Sequence, residues 1–419
     1  MGQDDKSGPE VVMGKKIKIL ITDTAPLYPP QWGGPKRIWY LFSNFPDADF
    51  EFTYVGVTFT GSPESKSQDK QIRNNFVEKL TLFPPHYALW HRLERIVLKN
   101  THLDLFVYLA MNTDWRFKRL LNAQAAKIVI CSHPWAWPCL RRKPDQFLIY
   151  DAHNCEYLLL AEILKKRLLK NLVLRQVKKI EGELCRQSDL ILACSTKEKE
   201  DLVKLYKINP DKVAIVTNGA QIKEITGAAR KEDSRKALGL SSFDKVVVFV
   251  GMYYKPNIDA AQFIIRKVAP ALPDFKFLLA GEIARAFVSV NLPPNTKFLG
   301  RVTEEQLDTV LRAADLAINP VFDGAGINIK MLDYLAYGLP VITTSCGARG
   351  IETDGQEVML VAAPDDFADT IRQLSVEADV KKRLAEAGRR LIARRYDWQL
   401  ISRQLQEIIL ARLGNFHGC

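Results

Sequence analysis

The chain has 419 residues, of which 47% are hydrophobic and 26% charged, with a formal net charge of +11 and a pI near 9.2. That length exceeds one ordinary core and predicts two domains of a soluble globular protein, while no run approaches the roughly 18 apolar residues of a membrane-spanning helix. The positive charge bears on partners rather than fold: nucleotide sugars and anionic lipid surfaces both suit it, and nucleic acid is disfavoured because no recognised binding motif accompanies the basic residues.

Residues 1–14 read as a loose tail without the long apolar region of a secretory leader, and Lys6 stands where a myristoylation signal wants Ser or Thr. An apolar strand over Lys16–Thr22 leads to Pro29-Pro30-Gln31-Trp32-Gly33-Gly34, a turn before a helix beginning near Pro35. Further strands are predicted at Glu51–Thr58, Leu105–Tyr108, Ala126–Ser132, Phe147–Asp151, Leu190–Ala193 and Val213–Val216, with helices between most of them. Such alternation predicts a parallel, doubly wound α/β sheet. His153 follows the strand ending at Asp151, and ligands of open parallel sheets lie beyond the carboxyl ends of strands.

Between Glu162 and Glu183 stand seven basic residues, with Leu164, Leu168, Leu172, Val177, Ile180 and Leu184 at near-helical spacing. This amphipathic helix either packs its leucines on the core and solvates its charges, or docks on an anionic membrane surface. Trp90, Trp115, Trp135 and Trp137 are candidate surface aromatics. The polar stretch Asn218–Asp244 marks a linker, and a second strand–helix series starts at Lys245. A last strand at Gln356–Val361 precedes Arg- and Ala-rich helices, Tyr396-Asp397-Trp398, and a final amphipathic helix to Leu413. The seven cysteines are odd in number and form no Cys-x-x-Cys pair, which predicts free thiols in a reducing cytoplasm rather than disulfides or zinc ligands.

Phe322 to Gly350 carries the strongest chemical signal. The loop Asp323-Gly324-Ala325-Gly326-Ile327 runs into an amphipathic helix and then, after Gly338-Leu339-Pro340, into the buried strand Val341–Thr344. Unpaired backbone N–H groups and the positive end of the dipole at such a helix start suit a diphosphate without a metal. Lys330 and Asp333 lie about one turn apart on that helix and predict a cation and an acid near one ligand. Alone, the pattern equally fits a glycine turn before an ordinary charged helix.

Further segments in fixed order resemble the family-four retaining glycosyltransferases: the first strand with Gly33-Gly34, Ala193-Cys194-Ser195, Val216-Thr217-Asn218-Gly219-Ala220, Val246–Asp259 with Pro-Asn-x-Asp, Phe277–Gly281, and Lys297–Pro320. The resemblance implies GT-B architecture, two Rossmann-like doubly wound domains facing across a cleft. Residues 15–222 would form the acceptor-side domain, 223–395 the nucleotide-sugar domain, and 396–419 a helix returning to the first domain. It implies metal-independent, retaining transfer of a sugar from a nucleoside diphosphate donor to a saccharide or lipid-linked saccharide hydroxyl. Alternatives are a nucleotide-sugar epimerase of the same architecture or a non-catalytic nucleotide-sugar-binding homologue. No cofactor beyond the sugar-nucleotide co-substrate and no nucleic acid partner is implied. A cytoplasmic location follows, peripheral at the inner face of the membrane where the basic helix docks.

By the same resemblance His153 and Lys330 are the catalytic candidates. Gly33, Gly34, Lys255, Arg301, Asp323, Gly324, Ala325, Gly326, Ile327 and Asp333 are the donor-binding candidates. Where relatives carry two acids in the donor loop and helix, this chain has Ala325 at the first position and Asp333, rather than Glu, at the second. Where many relatives carry a basic residue after the glycine equivalent to Gly251, this chain has Met252, with Lys255 three residues on.

Overall fold

The computed structural model describes residues 16–30, 33–58, 69–82, 111–164, 170–223, 228–324 and 328–417, together with Leu89, Arg92 and Leu93. Among them, one sheet contains β1 (Ile17–Thr22), β2 (Phe50–Thr58), β3 (Asp69–Arg73), β4 (Phe76–Leu82), β5 (Ile128–Ser132), β6 (Phe147–Ala152), β7 (Leu190–Ala193) and β8 (Val213–Ile215). A second contains β9 (Lys245–Val250), β10 (Phe275–Ala280), β11 (Thr296–Gly300), β12 (Leu316–Asn319), β13 (Val341–Thr343) and β14 (Leu360–Val361). The orders are β3-β4-β2-β1-β5-β6-β7-β8 and β11-β10-β9-β12-β13-β14. All pairings are parallel except that of β3 with β4. Both sheets are thus doubly wound, and each reverses direction at one switch point, between β1 and β5 in the first and between β9 and β12 in the second.

The central strands are near-continuous apolar runs because helices cover both faces. Leu20, Val129, Leu148 and Ile191 pack on one side of the first sheet, and Ile19, Ile128, Ile149 and Leu192 on the other. The β3–β4 hairpin was not predicted. Its outer strand, DKQIR, is polar and largely exposed, so no burial pattern marks it. The strand expected over Leu105–Tyr108 lies outside the described residues. The last strand is shorter than expected, only Leu360 and Val361 being paired.

Three helical expectations change. The first helix is Gly33–Phe42, so the two glycines form its first turn instead of preceding it. The polar stretch after Asn218 contains a helix, Ala228–Ala237. Asp315 fixes it by accepting from Lys231 Nζ and Arg235 Nη2, each at 2.7 Å, and from the Val246 N–H at 2.8 Å. The basic segment comprises two helices, Glu156–Ile163 and Lys170–Gln187. Lys165, Lys166, Arg167 and Leu168 lie outside the described residues. Val173, Leu174, Val177, Ile180 and Leu184 are buried, whereas Leu172 is 62% exposed because it falls on the outer side of the turn. Trp115 is exposed and Trp135 buried; Trp90 lies outside the described residues.

The chain crosses between sheets twice, side by side. The Ala220 N–H donates to the Tyr396 carbonyl (2.7 Å), and the Trp398 N–H donates to that of Ala220 (3.2 Å). The helix Trp398–His417 then lays Trp398, Ile401, Leu405, Ile409 and Leu413 into the core of the first sheet. Ser402 Oγ donates to the Leu41 carbonyl at 2.6 Å. Among the described residues no helix is long and apolar enough to cross a membrane, and six cysteines are free.

Candidate active site

The loops after β1, β5 and β6 converge with the first turn of the Gly33–Phe42 helix. Arg37, 1% exposed, organises this side. Its Nε and Nη2 donate to Asp151 Oδ1 at 2.9 and 2.8 Å, and its Nη1 donates to the Val216 carbonyl and Asn218 Oδ1 at 2.9 and 3.1 Å. One guanidinium therefore ties the glycine helix, the end of β6 and the interdomain segment together. Burial alone would raise the Asp151 carboxyl, but Arg37 and then His153 outweigh it and hold it well below the usual carboxylate range.

His153 presents Nε2 to Asp151 Oδ2 at 3.1 Å. Burial, followed by the nearby His133, lowers His153 to about 4. Because Asp151 is ionised and can only accept, the neutral ring carries its proton on Nε2 and leaves Nδ1 as an acceptor. A Cβ built on Gly34 would lie 3.6 Å from that Nδ1, so the acceptor nitrogen faces the glycine turn. Glu156, which opens the next helix, is 5% exposed, and burial pushes it up to about 7.

Across the cleft, Lys330 lies in the first turn of the helix Ile329–Ala336. Its Nζ donates to Asn257 Oδ1 at 2.6 Å and sits 4.5 Å from the centre of the Phe249 ring. Among the described residues no carboxylate is within ion-pair distance of it. Burial lowers this lysine to about 7. Asp333, one turn later, opens into a different compartment shared with Lys36, Tyr40, Glu304, Tyr337 and Trp398. Burial raises its carboxyl, opposed by Lys36. The cation and the acid thus address adjacent parts of the cleft, not one point.

The cleft is narrow here. A Cβ on Gly33 would stand 3.0 Å from Ile329 Cδ1, Lys36 Nζ is 3.2 Å from Glu304 Oε1, and Tyr40 Oη is 3.4 Å from Glu304 Oε2. The glycine loop before the Ile329–Ala336 helix is described as far as Gly324, whose φ of +122° favours glycine and whose carbonyl accepts from Arg349. Ala325, Gly326 and Ile327 lie outside the described residues, and Asp323 caps the Gly324 N–H at 2.7 Å. Lys255 is 81% exposed at its side chain and pairs with Asp259 at 2.6 Å. The Arg301 side chain is 63% exposed and 4.0 Å from Glu282. Both side chains are thus largely open to solvent.

Sequence reasoning passed over Arg37, Asp23, His133 and Tyr40. Arg37 stands one turn after Gly34, and Asp23 and His133 directly follow strands, so the strand-end rule that singled out His153 applies to them too.

The glycosyltransferase family 4 profile matches residues 33–224, and the profile for glycosyl transferases group 1 matches residues 244–376. A D-inositol 3-phosphate glycosyltransferase of Corynebacterium diphtheriae is 25% identical over 54% of this chain and 57% of its own length. A glycogen synthase of Mycobacterium tuberculosis is 23% identical over 57% of this chain and 58% of its own. The matched stretch thus spans little more than half of either relative. Among solved structures, sucrose-phosphate synthase from Thermosynechococcus elongatus superposes with a TM-score of 0.71 at 14% identity, covering 96% of this chain and all of the other. Anabaena HepE in complex with UDP-glucose gives 0.64 at 13% identity, over 94% and 100% of the two chains. With both of its halves matched and the two-sheet GT-B fold shared, the chain belongs to the family-four glycosyltransferases.

Proposed function

We propose that this chain is a retaining glycosyltransferase that moves a sugar from a nucleoside diphosphate to a hydroxyl of a saccharide or lipid-linked saccharide, without a metal. The observation that carries the reading is Lys330, a half-buried amine at a helix start that, among the described residues, has an amide and a ring for company but no carboxylate. A donor diphosphate supplies the missing anion, and the backbone N–H groups of the helix start add to its binding. Asp333, set deeper along the same helix, then accepts from ribose hydroxyls, and neutral His153 accepts at Nδ1 from a hydroxyl of the transferred sugar.

Transfer on one face requires the bond from the anomeric carbon to the diphosphate oxygen to break while the acceptor oxygen bonds to that carbon. The acceptor proton passes to the departing diphosphate. Lys330 and the helix start stabilise the charge that develops on the leaving group, and closure of the cleft excludes water. The exposed basic side of Lys170–Gln187 fits an anionic membrane surface that would present a lipid-linked acceptor.

The test begins with UDP- and GDP-sugars in a thermal-shift screen, since a ligand of the folded state raises apparent stability. It continues with release of free nucleotide in the presence and absence of saccharide and lipid-linked acceptors. The expected result is a donor-specific shift, nucleotide release that depends on acceptor, and loss of turnover but not of donor binding in His153→Ala. Epimerised donor would assign the chain to the epimerases, and binding without turnover would make it a non-catalytic homologue.

A further inference from the structure

His133 directly follows β5 and Asp23 directly follows β1, so the two flank the switch point of the first sheet. His133 adopts a φ of +77°, a left-handed conformation that is uncommon for a residue with a side chain and clusters where function constrains the backbone. In that conformation its Nδ1 lies 3.1 Å from Asp23 Oδ1 and its Nε2 lies 4.0 Å from Glu156 Oε1. Its ring centre is 4.0 Å from that of His153. Both imidazoles lie beneath Gly34, where an added Cβ would stand 3.6 Å from each. Four elements bring charged groups to the pair. Asp23 comes from the loop directly after β1, Asp151 from β6, Glu156 from the following helix and Arg37 from the glycine helix.

We propose that His133 is a positioning residue of the transfer reaction, an imidazolium held between Asp23 and Glu156 whose charge keeps the facing His153 ring neutral and its Nδ1 free to accept from the sugar. The inference rests on the glycosyl-transfer reading above. Two imidazoles with ring centres this close, tilted 45° to each other, cannot both carry a proton at low cost, and the carboxylates decide which one does. Asp23 and Glu156 both face His133, whereas Asp151, the one carboxylate bonded to His153 among the described residues, is already neutralised by Arg37. Burial opposes charge on His133, yet Asp23 and then Glu156 and Asp151 raise it to about 9. The site therefore pairs a fixed cation with a fixed acceptor through the pH range in which a lone histidine would change state.

The test is a ring-proton NMR titration of both histidines, which needs no substrate. In the wild-type chain His133 should titrate near 9 and His153 near 4. His133→Asn suits the left-handed backbone, and in it the His153 midpoint should rise by about one pH unit or more. The acid limb of the kcat profile should move upward with it while donor affinity holds. Asp23→Asn should lower the His133 midpoint by about one unit or more, which gives a second reading if His133→Asn does not fold. Wild-type histidines that both titrate near 6.5, or a His153 midpoint unmoved in a folded His133→Asn chain, would overturn the proposal. A wild-type chain that shows these titrations but transfers no sugar would instead overturn the functional reading alone.

Discussion

Donor binding should take up a proton at Lys330. In the free protein this lysine, lowered from 10.5 to about 7 by burial, is mostly neutral at pH 8. About nine molecules in ten lack the proton there, about half at pH 7 and about one in ten at pH 6. A diphosphate beside Nζ favours the charged form, so binding should be accompanied by uptake of about 0.9, 0.5 and 0.1 proton per donor at those three pH values. The same linkage weakens donor binding about tenfold per pH unit above ~7.5, or ~1.4 kcal/mol per unit. Titration calorimetry in two buffers of different ionisation enthalpy, Tris and HEPES, reads the proton count directly. The sign for folding is opposite: the unfolded chain holds this proton up to 10.5, so Lys330 adds stability to the free protein as pH rises from about 7. His133, raised to about 9, loses its contribution over part of that range, so a melting profile mixes the two and calorimetry of donor binding isolates Lys330. Binding at pH 8 without proton uptake, or equal uptake in Lys330→Met, would refute the argument.

Other outcomes follow from the same geometry. Asp333→Ala should leave the fold intact and weaken nucleotide binding by about 1.5–3 kcal/mol, the scale of a hydrogen bond to a charged group; unchanged affinity by calorimetry would remove the ribose assignment. Turnover should survive exhaustive chelation, and activity lost to EDTA and restored by manganese would show that the helix start and Lys330 do not suffice. Arg37→Met leaves Asp151 buried without its cation and should cost about 3–5 kcal/mol in urea unfolding; a loss under about 1 kcal/mol would mean the pair is not organising the site. Replacing the exposed Arg175, Lys178 and Lys179 with Gln should weaken salt-sensitive co-sedimentation with anionic vesicles by about 1 kcal/mol each, and binding indifferent to salt and to these changes would leave a merely solvated helix.

The two-sheet fold was legible because its central strands are buried on both faces, and such burial writes itself as short runs of Ile, Leu and Val, as in KVVVFV over Lys245–Val250. The β3–β4 hairpin lacks that imprint, since Asp69–Arg73 has its pairing in the backbone and its side chains in solvent. The helix Ala228–Ala237 was hidden for a related reason. Arg235, one of its anchors, is 5% exposed, yet it is buried by ion pairing to Asp315 and by donation to carbonyls, which an apolar-periodicity rule does not see.

The site divides along the same line. A helix start after glycines is a local feature, and the donor loop, Lys330 and Asp333 could be named from adjacent letters. What surrounds them comes from far along the chain: Arg37 reaches Asp151, Val216 and Asn218, and Tyr40 stacks on Trp398 with ring centres 5.8 Å apart. The strand-end rule was enough to name His153 but not to rank it against Asp23 and His133, because every parallel strand has a carboxyl end. Rank depends on which strands flank the reversal in sheet order, and that order is set by crossovers longer than any sequence window. Once β1 and β5 are known to be neighbours, the loops that follow them diverge and open the crevice there. An aspartate on one and a histidine on the other then meet across it, so the charge state of His153 is decided by residues that adjacency in sequence gives no reason to connect.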